Sequence, residues 1–169
     1  MKAIARDPRS SRSDLFMNAD QLKIFQNITL TYFTKMAPQE KPPALQEAYL
    51  QFESSVLLDY TSVVQISGVY EGCLYITTTS SVLEALLAQH GEKEINDVTR
   101  LDMCRELSNV LAGNASHAFG ADWTISVPQS VSPDKISTLK LPPSTFVMPF
   151  VWKELESYLV VGLQPKEQR

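Results

Sequence analysis

The chain has little of the residues that most often carry metal or nucleophile chemistry: two cysteines and two histidines among 169 residues. Cys73, Cys104, His90 and His117 are dispersed along it and do not have the paired spacing of a usual Cys/His zinc site. Two cysteines are also no disulfide scaffold, and each is expected to pack as a small buried hydrophobe. The chain has six glycines, and no Gly-rich loop of the phosphate- or dinucleotide-binding kind occurs. Gly113-Asn114-Ala115-Ser116 is not the Gly-x-Ser-x-Gly of a nucleophile elbow. His117 follows Ser116 directly, and helix neighbours one apart point in different directions. No apolar run reaches the roughly 18 residues of a membrane-spanning helix. A net charge of -4 and a pI of about 5.2 argue against broad, charge-driven binding of nucleic acid or anionic membrane.

What is present is ordinary for one soluble domain with a real core: 44% hydrophobic and 20% charged residues. Lys2, Arg6, Arg9 and Arg12 are followed by polar residues rather than by the apolar stretch of a secretory signal, so a cytoplasmic location is expected. Residues 1–17 contain Pro8 and a Ser/Arg-rich stretch without periodicity and are expected to be a flexible arm. Leu22, Phe25, Tyr32, Phe33 and Met36 recur at helical spacing, which predicts a helix over 18–36 capped by Asn18 and ended by Pro38. An outer strand is expected at 47–53. A hairpin follows, with arms 60–68 and 73–79 and a turn at 69–72 bracketed by Gly68 and Gly72. Ser81 and Glu84 have the form of a capping box, which predicts a helix over 81–90, and the longest helix is expected at 97–118. Residues 122–128 read as a strand, 129–144 as irregular, and 145–153 and 157–163 as the last two strands. Pro149 would put the first of these at a sheet edge or a bulge, and residues 165–169 form a tail. Hairpins rather than regular βαβ units imply an α+β domain, residues 18–164, with a largely antiparallel sheet packed with long helices.

The long helix carries the sharpest pattern. At about 100° per residue, Leu101, Cys104, Leu107, Ser108, Leu111, Ala115 and Ala118 gather on one side, expected to face the sheet. Asp102, Glu106, Asn109, Gly113 and Ser116 gather on the other. Two readings stay open for that stripe. A carboxylate and an amide on an exposed helical face are usually solvated surface, and Asp102 would then serve the helix N-terminus through its dipole or a cap with Thr99. Alternatively Glu106 and Asn109, at i and i+3, project together toward a partner. Gly113 favours the second reading, because a mid-helix glycine costs up to about 1 kcal/mol against alanine unless another backbone must come close.

Asp102-Met-Cys-Arg-Glu106-Leu-Ser-Asn109, followed by the Gly113-Asn114-Ala115 segment, resembles the signature of the CheC/CheX-type chemotaxis phosphatases. The hairpin-then-helix segment upstream and the strand ending in Pro128 are similar to theirs, so the resemblance runs from about 18 to 164. The spacing from Asn109 to Pro128 is a few residues shorter than in the family, and the chain then reads Gln-Ser-Val-Ser-Pro where a glycine is common. The first helix reads Lys-Ile-Phe-Gln-Asn-Ile-Thr around Asn27, without a second Glu-x-x-Asn, so the single-site CheX type is the closer match. The resemblance implies an aspartyl-phosphate phosphatase that docks on a phosphorylated, CheY-like response-regulator receiver domain. It implies that Asn109 orients the attacking water and that Glu106 pairs with the receiver's lysine, with Asp102, Gly113 and Ser116 expected at the partner contact. No cofactor is expected on this chain, and magnesium is expected in the receiver. A homodimer is also implied, and the apolar stretch around Pro149 is expected to be an edge in need of cover. The alternative is a non-catalytic receiver-binding adaptor or flagellar-switch-like component of the same fold.

Overall fold

The computed structural model describes residues 17–52, 55–139 and 141–166. The expected arm at 1–16 and residues 167–169 of the tail lie outside the described residues. Met17, at the end of the expected arm, is buried in the main core. Helix α1 (Ala19–Met36) starts at a reciprocal cap: Asn18 Oδ1 accepts the Gln21 N–H at 2.9 Å, and Gln21 Oε1 accepts the Asn18 N–H at 3.0 Å. Two otherwise orphaned backbone donors are thereby satisfied. Phe25, Thr29, Tyr32 and Phe33 form its buried face, and the Thr29 hydroxyl donates to the Phe25 carbonyl at 2.9 Å rather than remaining unpaired.

Eight strands form one sheet in which every pairing is antiparallel: β1 (Ala44–Leu45), β2 (Tyr49–Phe52), β3 (Tyr60–Ser67), β4 (Tyr70–Thr78), β5 (Thr124–Ile125), β6 (Gln129–Ser130), β7 (Ser144–Trp152) and β8 (Leu155–Pro165). The order is β1-β7-β8-β4-β3-β5, with β2 also on β7 and β6 also on β3. Side chains alternate between faces, so the register separates two layers. Val64, Leu74, Val161 and Phe146 form a row toward the helices, whereas Val63, Tyr75, Val160 and Val147 form a row on the back. The front is covered by α1, α2 (Ser80–Gln89) and α3 (Asp97–Phe119). The back is partly covered by Val56, Val131, Leu139 and Leu141 from connecting segments. Burial on both faces explains the apolar runs Phe146–Trp152 of β7 and Leu159–Leu163 of β8.

Several boundaries differ from the sequence reading. The hairpin turn is tighter than 69–72, because Gly68 adopts φ +138° and β4 begins at Tyr70. Gly72 is therefore inside β4, where a Cβ would come within 1.9 Å of the Gly162 carbonyl oxygen. Helix α2 is capped by the Thr79 side chain, not by a Ser81–Glu84 box, and Glu84 binds Arg100 instead. The strand expected over 122–128 is reduced to β5, and β6 forms in the stretch read as irregular. Pro128, which lacks an N–H, separates the two. A 3₁₀ turn over Pro133–Thr138 follows. Strand β7 is not an edge: β1 and β2 of the same chain pair with it on either side of Pro149, whose carbonyl accepts the Gln46 N–H at 3.0 Å. The proline's missing donor thus falls where the outer pairing is interrupted, and β7 is not the uncovered edge expected to need a second copy.

Candidate functional site

Helix α3 presents the candidate residues, and its placement is fixed at several points. Its start is a second reciprocal cap, Asn96 with Thr99. Thr99 therefore serves Asn96, not Asp102. Arg100 is tied to Glu84 of α2 through Nε and Nη2 at 3.0 and 2.8 Å. Met103, Cys104, Leu107, Ser108, Leu111, Ala112 and Ala115 are buried. Ser108, wholly buried, shares a 2.7 Å hydrogen bond with the equally buried Ser62 of β3 and donates to the Arg105 carbonyl at 2.9 Å. A buried hydroxyl pair has few alternative partners, so it sets the rotation of α3 on the sheet. The signal for it in the sequence is a serine within the apolar side of a helix.

That rotation leaves Asp102, Glu106 and Asn109 exposed. Asp102 is paired with Arg105, one turn along, and Arg105 also reaches Ser130 of β6 at 3.4 Å. Glu106 and Asn109 have no hydrogen-bond or ion-pair partner among the described residues. A carboxylate and an amide thus stand one turn apart on an exposed helix face, with their polar atoms uncommitted. Val98, 65% exposed, extends the same stripe toward the helix start.

Gly113 and Ser116 depart from the expected stripe and are half-buried, while Ala118, expected against the sheet, is exposed. The chain after α3 folds back over its last turns. Trp123 donates from Nε1 to the Ala112 carbonyl at 2.9 Å and stacks on Phe119 with ring centres 4.8 Å apart. This brings Ile125 beside Gly113. A Cβ on Gly113 would still lie 3.9 Å from Ile125 Cδ1, an ordinary contact. Packing within the chain therefore does not require glycine at that position. Pro128 is half-buried between β5 and β6, next to Val127, which is 81% exposed.

Both cysteines are buried and free, and burial pushes each thiol up to about 12, far from nucleophilic thiolate character near neutral pH. A groove of about 750 Å³ beside the first turns of α3 is lined by Asp59, Tyr60, Asp97, Arg100, Ser130 and Lys135 among others, but not by Glu106 or Asn109. Small-molecule sites are concave, whereas this pair is displayed outward, as suits a macromolecular surface. Tyr32 of α1 is a residue the sequence did not single out. Its hydroxyl is buried and has no hydrogen-bond partner among the described residues. Among the described residues, no helix is long and apolar enough to cross a membrane.

Residues 60–150 match the family described as "Chemotaxis phosphatase CheX". That is more than half of the chain, and the chain belongs to this family. Its structure is similar to chemotaxis protein CheX from Vibrio vulnificus, with 21% identity, 86% of this chain and 100% of that chain covered, and a TM-score of 0.69. It is similar to chemotaxis protein CheX from Desulfovibrio desulfuricans, with 19% identity, 86% and 99% covered, and a TM-score of 0.68. It is also similar to a chain of the CheX–CheY–BeF3–Mg2+ complex from Borrelia burgdorferi, with 17% identity, 87% and 99% covered, and a TM-score of 0.62. At these identities the likeness is one of fold. No curated protein matches the chain in sequence.

Proposed function

We propose that this protein hydrolyses the phospho-aspartate of a CheY-like response-regulator receiver domain in the cytoplasm, and that Glu106 and Asn109 carry the activity. The observation behind this reading is the pair itself: adjacent, exposed and uncommitted on α3, while the neighbouring Asp102 is already paired with Arg105. Membership of the CheX family and likeness to a chain of a CheX–CheY complex support a receiver as the partner. In this reading Glu106 reaches the receiver's active-site lysine and fixes the docking through a charge-assisted hydrogen bond. The Asn109 amide enters the receiver's site. Its carbonyl oxygen accepts a hydrogen bond from the attacking water, and its NH₂ donates one to a phosphoryl oxygen. Water's oxygen bonds to phosphorus as the bond to the aspartyl oxygen breaks, yielding inorganic phosphate and a free carboxylate. The chain contributes position rather than a covalent intermediate, and magnesium would belong to the receiver. Asp102, Gly113 and Ser116 would border the contact. Assembly as a homodimer is part of the same reading and rests on family resemblance. Light scattering at micromolar concentration is expected to give twice the chain mass.

The deciding experiment is single-turnover dephosphorylation of a phosphorylated CheY-type receiver, run beside binding to the same receiver treated with beryllium fluoride. Asn109→Ala is expected to slow turnover by about 10²-fold, about 2.7 kcal/mol at the chemical step, with much less change in binding. Glu106→Ala is expected to weaken both, the difference from wild type shrinking at high salt. Full turnover by a folded Asn109→Ala protein would leave the adaptor reading in its place.

A further inference from the structure

The outermost ladder of the sheet, where β5 and β6 pair with β3, contains one residue too many. In the first part Thr124 lies opposite Ser67 and Ile125 opposite Ile66. Ser126 keeps that register: its N–H donates to the Gln65 carbonyl at 2.9 Å, and its hydroxyl accepts the Gln65 N–H at 2.9 Å. In the second part Gln129 lies opposite Val63 and Ser130 opposite Ser62. Val127 and Pro128 therefore share the single opposing residue Val64. Two residues against one is a β-bulge, a device that re-aims side chains at sheet edges, and a proline without an N–H is tolerated there.

The bulge is placed against α3 from both ends. Arg105 reaches the Ser130 hydroxyl at 3.4 Å, and Gly113 lies beside Ile125. The segment 125–130 thus runs antiparallel to α3 between Gly113 and Arg105, and the bulge falls between those points, level with Asn109. Val64, opposite the bulge, belongs to the core under the helices, so the bulge is on the α3 side of the sheet. Val127 is 81% exposed, more than any other large hydrophobic residue among those described. An apolar side chain is thereby held in solvent alongside the candidate amide.

We infer that Val127 is a specificity-determining contact of the Glu106–Asn109 site, meeting an apolar side chain on the rim of the receiver's phospho-aspartate pocket as Asn109 enters it. The inference rests on the receiver-phosphatase reading. Continuity identifies the occupant: whatever Asn109 enters must also lie over the bulge. Chemistry identifies its character, because a valine gains only from burial against apolar surface, which also excludes water from the rim of the polar contact.

The test compares the wild-type full chain with Val127→Ser, Val127→Leu and, as a control outside α3 and the bulge, Val69→Ser in the β3–β4 turn, where Val69 is 56% exposed. Each is measured for binding to a beryllium fluoride-treated CheY-type receiver and for single-turnover dephosphorylation of the phosphorylated receiver. Val127→Ser is expected to weaken binding about fivefold or more. The protein concentration giving half-maximal turnover should rise by the same factor, with the rate at saturation nearly unchanged. Val127→Leu, which remains apolar, is expected to bind within about twofold of wild type, and Val69→Ser to change nothing. The midpoint of urea unfolding should be the same in all four proteins. Wild-type affinity in Val127→Ser, or an equal loss in Val69→Ser, would overturn the inference and leave the receiver reading standing. A lowered unfolding midpoint in Val127→Ser would overturn it in favour of a structural bulge residue. A changed mass by light scattering with receiver affinity intact would assign Val127 to a second copy of the chain instead. A wild-type protein that neither binds nor dephosphorylates the receiver would overturn the receiver reading itself.

Discussion

The two faces of α3 obey different rules although they alternate within a single turn. On the inner face, Leu107 and Leu111 have no exposed surface and Ser108 is bonded to Ser62. On the outer face, Glu106 and Asn109 are exposed and have no hydrogen-bond or ion-pair partner among the described residues. Residues 106–109 therefore read, in order, outer, inner, inner, outer. The inner pair decides where the helix lies, and the outer pair is available for whatever the helix meets. Stability and activity should be separable on this helix by moving one residue along it.

The largest expected effect is on the inner face. Leu107→Ala removes a fully buried side chain and should cost about 2–5 kcal/mol of unfolding free energy, read by urea denaturation. Any loss of activity should follow the fraction unfolded. Asn109→Ala is expected to invert this pattern: the turnover loss given above, with stability within about 0.5 kcal/mol of wild type. If Asn109→Ala instead unfolds the protein, the outer face is structural and the contrast fails. Ser108→Ala is intermediate. It leaves the Ser62 hydroxyl buried without its partner, a cost of about 1–3 kcal/mol, and calorimetric melting should show it. Replacing both Ser62 and Ser108 by alanine should cost less than the sum of the two single changes. The smallest effect is expected at Gly113, where the faces meet. A Cβ fits beside Ile125, so Gly113→Ala should stabilise the free protein by about 0.5–1 kcal/mol. If a partner backbone needs that space, affinity for a beryllium fluoride-treated receiver should fall in the same variant. Unchanged affinity would remove Gly113 from the contact.

The α+β class, the three helices, the central hairpin and the last two strands were legible because their signals are local. Examples are a 3.6-residue period from Leu22 to Met36, Asn18 as a cap, and runs of β-branched residues in β3 and β4. The exposed placement of Glu106 and Asn109 was legible for the same reason, since a helix fixes angular spacing. Ends and caps were less so. Ser81 and Glu84 satisfied the pattern of a capping box, but Thr79 is where the chain leaves β4, and Arg100 of another helix draws Glu84 away. Gly113 and Ser116 were misplaced because the periodicity of one helix does not foretell that Trp123 will bond to Ala112 and bring its loop over the last turns.

The sequence by itself determined that this chain forms a long amphipathic helix carrying Asp102, Glu106 and Asn109 on its polar side, and that side-chain period is enough to align them. Only the tertiary structure decided that Asp102 is already paired with Arg105, that β1 and β2 cover β7, and that Ser108 of α3 bonds to Ser62 of β3. Ser62 and Ser108 are far apart in sequence, and the packing of α3 against the sheet brings them together. Helical spacing carries no information about that distance, because it is set by burial of apolar surface across the whole core.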